Sequence, residues 1–376
     1  MMITDMVDLA IDLGALRHNF ERLRRLCAPG VKMMPVIKAD AYGHGLLGCA
    51  RTLAASGADY LGVGSVEEGR ALRLAGISLP ILILLGILPE DANHVVSQDF
   101  EVALYRLDVA EALDAAAAAQ FKKVGVHLKV DTGMGRLGVA PQEVLPVLER
   151  LKTCGNLEVR GLISHLAMAD LEDKTYTYRQ ISEFEELLAA ARLKGFDLPL
   201  SHIANSAALL DVKAAHFSLV RPGIMLYGSP PAPGRPAPVD LKPVMSLRSQ
   251  VVQLKRLPPG TSISYGGTYV TPDWCDLAVV PVGYCNGYSR LLSNRGEVLI
   301  KGRRAPIRGR VCMNLTMVEV THIPDVEVGE PVTLLGEDGG DRLSGDELAG
   351  WAQTISYEIY CALGTANPRR FTGVEP

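Results

Sequence analysis

Lys38 is the first residue of this chain placed to do chemistry. Val31, Met33, Met34, Val36 and Ile37 form an apolar run that reads as a buried strand, and the lysine stands at its C-terminal end. Burial strips water from an amine, lowers its pKa and makes it nucleophilic toward an aldehyde. Taken alone, such a lysine also reads as one snorkelling from a strand end. Similar groups follow comparable runs. Lys129 and Arg136 lie in Lys-Val-Asp-Thr-Gly-Met-Gly-Arg-Leu-Gly, His165 ends Gly-Leu-Ile-Ser-His, and His202, Asn205 and Ser206 share Ser-His-Ile-Ala-Asn-Ser. Arg221, Gly223 and Ile224 open Arg-Pro-Gly-Ile-Met-Leu-Tyr-Gly. Gly133 to Gly138 matches G-x-G-x-x-G, but a dinucleotide site needs an acid ending the next strand, and Glu158 precedes that strand. There is no Walker-type loop, so a phosphate has to be held by other groups.

The elements that position these groups repeat. Strand-like runs lie near residues 31–37, 60–64, 81–85, 101–105, 124–130, 159–165, 199–204 and 219–225. Amphipathic or alanine-rich segments, such as 113–120 and 180–194, fall between them. Eight strand–helix repeats are the signature of a (β/α)8 barrel, whose chemistry sits at the C-terminal ends of its strands. Residues 228–238 form a proline-rich connector. Beyond it come short alternating runs near 244–257, 276–282, 296–300, 305–320 and 331–335, and one final helix is expected over 345–363. The reading is an α/β protein: an N-terminal (β/α)8 barrel over 1–235 and a C-terminal mostly-β domain over 236–376.

Composition fits an ordinary enzyme. Of 376 residues, 48% are hydrophobic and 21% charged, and the net charge is −4 without a basic stripe, which argues against nucleic acid as a partner. Seven scattered cysteines without CxxC spacing fit a reducing cytoplasm rather than a disulfide framework or a zinc site, and no metal is expected. The first dozen residues lack a secretory pattern, and the longest apolar stretch, 77–88, is interrupted by Pro80 and too short to span a bilayer.

Lys38-Ala-Asp-Ala-Tyr-Gly-His-Gly45 closely resembles the pyridoxal 5'-phosphate (PLP) attachment motif of the alanine racemases, with Asp40 where that family usually has Asn. The resemblance runs from about Leu9 to Phe371. It implies a PLP cofactor in Schiff-base linkage to Lys38. Its phosphate would meet the backbone N–H groups of Gly223 and Ile224 and the hydroxyls of Tyr42, Ser206 and Tyr357. Arg221 would bond the pyridine nitrogen. Because an arginine offers only donors, that nitrogen would stay unprotonated and the electron sink weak, favouring racemisation over transamination. His165 would lie by the ring, with His202 and Asn205 in the surrounding network.

Arg136 would meet the PLP phenolic oxygen and the substrate carboxylate. Lys129 would steady it as a carbamate; the plainer reading is an ion pair between Lys129 and Asp131, which share a strand face. In Ser262-Ile-Ser-Tyr265-Gly-Gly, which otherwise reads as a hairpin turn, Tyr265 would be the second base that racemisation requires opposite Lys38. It would act across a homodimer interface, in sites shared between subunits. Tyr284 would narrow the substrate channel, and the Met313 N–H would meet the substrate carboxylate. Asn286 and Asn314 stand where the family usually has Asp. The implied activity is interconversion of L- and D-alanine, supplying D-alanine for peptidoglycan. A broad-specificity or serine racemase is the nearest alternative. A PLP-dependent decarboxylase is disfavoured by Arg221, since those enzymes put an acid at the pyridine nitrogen. A non-catalytic PLP carrier is disfavoured by the second domain.

Overall fold

The structure is a computed structural model that describes residues 6–232 and 239–373, so residues 233–238 of the expected connector lie outside the described residues. Strands Lys32–Met33, Leu61–Val63, Ile81–Ile83, Phe100–Leu104, Val124–Lys129, Leu157–Ile163 and Leu219–Val220 pair in parallel around a barrel. The seventh position is a single bridge between Ile163 and His202 rather than a ladder. Closure runs through Arg221 N–H to Ala204 O (3.1 Å), Met34 N–H to Val220 O (2.9 Å) and Ile37 N–H to Gly62 O (2.8 Å). Leu61, Val63, Ile81, Leu82 and Ile83 are wholly buried. Helices cover the outside and side chains fill the inside, so these strands read as continuous apolar runs. Helices Leu107–Ala119 and Thr175–Leu193 start earlier than the sequence suggests.

Two larger sheets build the second domain, and a short hairpin pairs Ser262–Ile263 with Tyr269–Val270. One is ordered Arg303–Pro306, Glu297–Ile300, Pro331–Asp338, Met245–Gln250, Asp8–Asp12, Arg369–Thr372; the other joins Gln253–Leu257, Cys275–Val280 and Thr316–Glu319. The first strand of the chain therefore belongs to the C-terminal sheet and not, as chain order suggests, to the barrel. Asp8–Asp12 lies between Met245–Gln250, antiparallel, and Arg369–Thr372, parallel, and buries Leu9 and Ile11. The single final helix is also corrected: Gly345–Ala352 ends where Gln353 turns left-handed (φ 56°), and Ser356–Ala366 starts anew. That second helix lies against the segment after Lys38, and a Cβ on Gly364 would collide with Gly43 O. Among the described residues, no helix is long and apolar enough to cross a membrane.

Candidate active site

A cavity of about 470 Å3 opens at the C-terminal ends of the barrel strands, with Lys38 and Arg221 on its wall. Lys38 is followed by a left-handed turn: φ lies between 53° and 55° at Ala39, Asp40, Ala41 and Tyr42. Each non-glycine residue in that conformation costs about 1–2 kcal/mol, so the surroundings must hold it. Asp40 supplies much of the hold. Its N–H donates to Glu68 (3.1 Å), its carboxylate accepts from Leu46 N–H (2.6 Å), and it pairs with Arg369, whose Nε donates to Gly43 O (2.8 Å). The charge of Asp40 thus adds an ion pair to the C-terminal strand.

Lys38 is partly buried, and burial first, then the positive charge of Arg136, lowers its pKa. Tyr42 lies between Tyr227 and Tyr357, with ring centroids 4.9 and 5.7 Å away. Burial raises both the Tyr42 and Tyr357 hydroxyls, the latter to about 12, so both remain protonated donors at neutral pH. At the same end of the cavity Gly223 N–H donates to Ser206 Oγ (2.9 Å), and Ile224 begins a tight turn. Asn205 caps the helix that Ser206 begins, its side chain accepting from Ala208 N–H (3.0 Å).

Arg221 forms the floor. Its Nη1 donates to His202 Nδ1 (2.6 Å), and its Nη2 serves Ser164 O (2.7 Å) and Ile203 O (3.1 Å) with His165 Nδ1 at 3.4 Å. Burial lowers the guanidinium to about 9, which leaves it charged at neutral pH. Burial and the charge of Arg221 push His165 and His202 well below the usual histidine range, so both are neutral. His202 lies beneath the cavity; His165 lines it.

Lys129 is 6% exposed, and burial followed by the charges of Arg221 and Arg136 lowers it to about 7. The simple ion pair with Asp131 does not form. The Asp131 carboxylate instead gathers the N–H groups of Gly133 (2.9 Å), Met134 (2.8 Å), Gly135 (3.1 Å) and Arg136 (3.0 Å). This folds the glycine-rich segment into a loop that presents Arg136, and the next α-helix starts only at Val144, after a 3-10 turn over Pro141–Glu143. Gly138, at φ 131°, would bring a Cβ to 2.6 Å from Asp131 N. These glycines serve the loop rather than a dinucleotide.

Tyr265, Tyr284, Met313 and Asn314 do not line this cavity. They gather on an exposed face of the second domain: Tyr265 is 70% exposed, Met313 55% and Tyr284 43%. Ser264 Oγ donates to Arg310 O (2.7 Å), and Tyr284 N–H donates to Cys312 O (3.0 Å), tying the three segments together. The Asn286 side chain bonds the Asn367 side chain (3.1 Å), and Asn314 Nδ2 donates to Cys285 Sγ (2.9 Å). Sequence reasoning missed Glu68, which braces Gly64 N–H (2.7 Å) and the Lys38 turn. Its signal was Ser65-x-x-Glu68, a capping-box spacing. It also missed His127, two residues before Lys129 and so on the same strand face.

Residues 11–231 match the family model described as alanine racemase, N-terminal domain, and residues 244–371 match alanine racemase, C-terminal domain. An alanine racemase of Halothermothrix orenii is 45% identical over 361 residues, covering 96% of this chain and 95% of that protein. One from Syntrophobacter fumaroxidans is 47% identical over 354 residues, 94% of each chain. Among solved structures, the alanine racemase of D-cycloserine-producing Streptomyces lavendulae superposes with a TM-score of 0.92 at 35% identity, covering 98% of this chain and 97% of that one. That of Bacillus anthracis, solved with L-Ala-P bound, gives 0.91 at 32%, covering 99% and 96%. With a barrel mouth that gathers a buried lysine and an arginine floor, and with likeness along nearly all its length, the chain belongs to the alanine racemase family.

Proposed function

We propose that this protein interconverts L-alanine and D-alanine with PLP held at Lys38, as a homodimer in which each site borrows Tyr265 from the other copy. Arg221 carries the reading. A guanidinium on the cavity floor, donor-only and charged, suits a ring nitrogen kept unprotonated, whereas a decarboxylase places an acid there. The cavity fits the cofactor in other respects. Gly223 leaves a space beside Tyr42 that a Cβ would fill, 2.6 Å from the hydroxyl, and the donors there suit a phosphate. When bound, PLP supplies an aldehyde for amines and a conjugated ring that spreads the electron pair left at Cα.

The chain supplies the rest. Tyr42, Ser206, Tyr357 and the N–H groups of Gly223 and Ile224 would hold the phosphate. Arg136 receives the substrate carboxylate, and Lys129, neutral above about pH 7, is poised to carry a carbamate that steadies it. Lys38 Nζ moves the proton on one face of Cα. Inversion needs a second acid–base group opposite, and within one chain no tyrosine of the second domain's exposed face lines the cavity. Tyr265, Tyr284, Met313, Leu291 and Leu315 of the second domain are all exposed, which suits a face that meets a second copy. Seven unpaired cysteines are in keeping with a reducing cytoplasm. Incubating the PLP-loaded protein with L-alanine, L-serine or L-lysine and separating chiral products tests the reading. D-alanine is expected to form fastest; a larger kcat/KM for serine or lysine would reassign the substrate.

A further inference from the structure

We infer that Glu101 and His127 are positioning residues for Arg221: with His202 they form a buried relay that fixes which imidazole nitrogen faces the guanidinium. This rests on the reading of Arg221 as the residue at the cofactor's ring nitrogen. His202 Nε2 lies 3.0 Å from His127 Nδ1, and His127 Nε2 lies 2.8 Å from a Glu101 carboxylate oxygen. Both histidines are wholly buried, whereas Glu101 reaches the barrel floor and borders a cleft open to solvent.

The polarity of this chain follows from its ends. Arg221 has only donors, so His202 Nδ1 must be the bare nitrogen. A neutral His202 then carries its proton on Nε2 and donates it to His127 Nδ1. His127 in turn carries its proton on Nε2 and donates it to Glu101. Reversal would set an N–H against an N–H at Arg221. An imidazolium at His127 would force the same clash, because its Nδ1–H would take the lone pair of His202 Nε2. The carboxylate therefore anchors one tautomer along the whole relay. The groups facing Glu101 are His127, the Tyr60 hydroxyl (3.4 Å) and Arg160 (3.8 Å); those facing His202 are His127 and Arg221, with the charge of Lys129 nearby. Arg221 is thus aimed from below by a group on the far side of the barrel that never meets substrate.

The test uses 15N-histidine-labelled PLP-loaded enzyme, wild type and with Glu101→Leu and Glu101→Gln, read by solid-state NMR and kinetics. Wild type should show His202 neutral with a bare Nδ1. Glu101→Leu leaves the His127 Nε2–H without an acceptor, so it should populate the other tautomer at the expense of the Arg221–His202 bond and lower kcat about tenfold, the loss of one charge-assisted hydrogen bond, with KM for alanine little changed. Glu101→Gln, which keeps an acceptor for His127, should retain the wild-type tautomer and recover most of kcat, and it serves as the test should the leucine variant not fold. A wild-type His202 with its proton on Nδ1, or a Glu101→Leu enzyme with tautomer and kcat unchanged, overturns the relay. A tautomer shift with unaltered cofactor absorbance and unaltered ratio of pyruvate formed to alanine racemised supports the relay and removes Arg221 from the ring nitrogen, which separates the two readings.

Discussion

Gly223→Ala should weaken cofactor binding by steric means alone. A methyl group there would lie 2.6 Å from Tyr42 Oη and 3.2 Å from Cζ. The tyrosine cannot give way sideways, because its ring packs against Tyr227 at 4.9 Å and is only 8% exposed. It can move only into the cavity, into the space assigned to the phosphate. The cost therefore falls on the bound state more than on the empty one. Overpacking of this kind costs about 1–3 kcal/mol, which raises the PLP dissociation constant about 5- to 150-fold. Titrating the cofactor-free variant with PLP by visible absorbance measures it. Adding Tyr42→Phe removes the oxygen of the closest contact but leaves Cζ, so the double variant should recover most of the loss beyond what Tyr42→Phe costs alone. A Gly223→Ala enzyme that binds PLP as tightly as wild type would refute the cradle. A double variant no better than the single would show the damage to be in the backbone instead.

Arg221→Glu should raise abortive transamination relative to racemisation, since an acid can share a proton with the ring nitrogen; an unchanged ratio of pyruvate to racemised alanine in folded, PLP-loaded protein would contradict the assigned role. Lys38→Ala and Tyr265→Phe homodimers should each be severely impaired, whereas random subunit exchange gives about half heterodimers, each with one intact site, and about a quarter of wild-type activity. Exchange without recovery would put Tyr265 in its own chain's site. Raising the pH through 7 uncharges Lys129, the form that reacts with carbon dioxide, so 13C-bicarbonate should yield a protein carbamate signal that grows with pH and vanishes in Lys129→Ala. A signal that persists in that variant belongs to another amine.

Much of the cavity was legible because a barrel strand announces itself locally. An apolar run followed by a polar side chain marks a strand mouth, and Lys38, Lys129, His165 and Arg221 all sit at one, whatever the long-range pairing. Chain length and the proline-rich connector likewise pointed to two domains, whereas a donor-only arginine at the floor was implied by the resemblance to the alanine racemases. Other features depended on partners distant in sequence. Asp8–Asp12 alternates like any half-buried strand, and only the edges offered by Met245–Gln250 and Arg369–Thr372 place it in the second sheet. The left-handed turn after Lys38 runs against local preference, and contacts from Glu68 and Arg369 hold it. Asp131 looked like a partner for Lys129, yet once the loop closes, backbone N–H groups occupy its oxygens. Residues 101, 127 and 202 are unremarkable one at a time; closing the barrel brings them within hydrogen-bond reach of one another and of Arg221. Side-chain type and period act within a few residues and determined the reactive groups and their elements. Which groups share a proton, a clamp or a sheet edge was decided by chain closure, which no local pattern encodes.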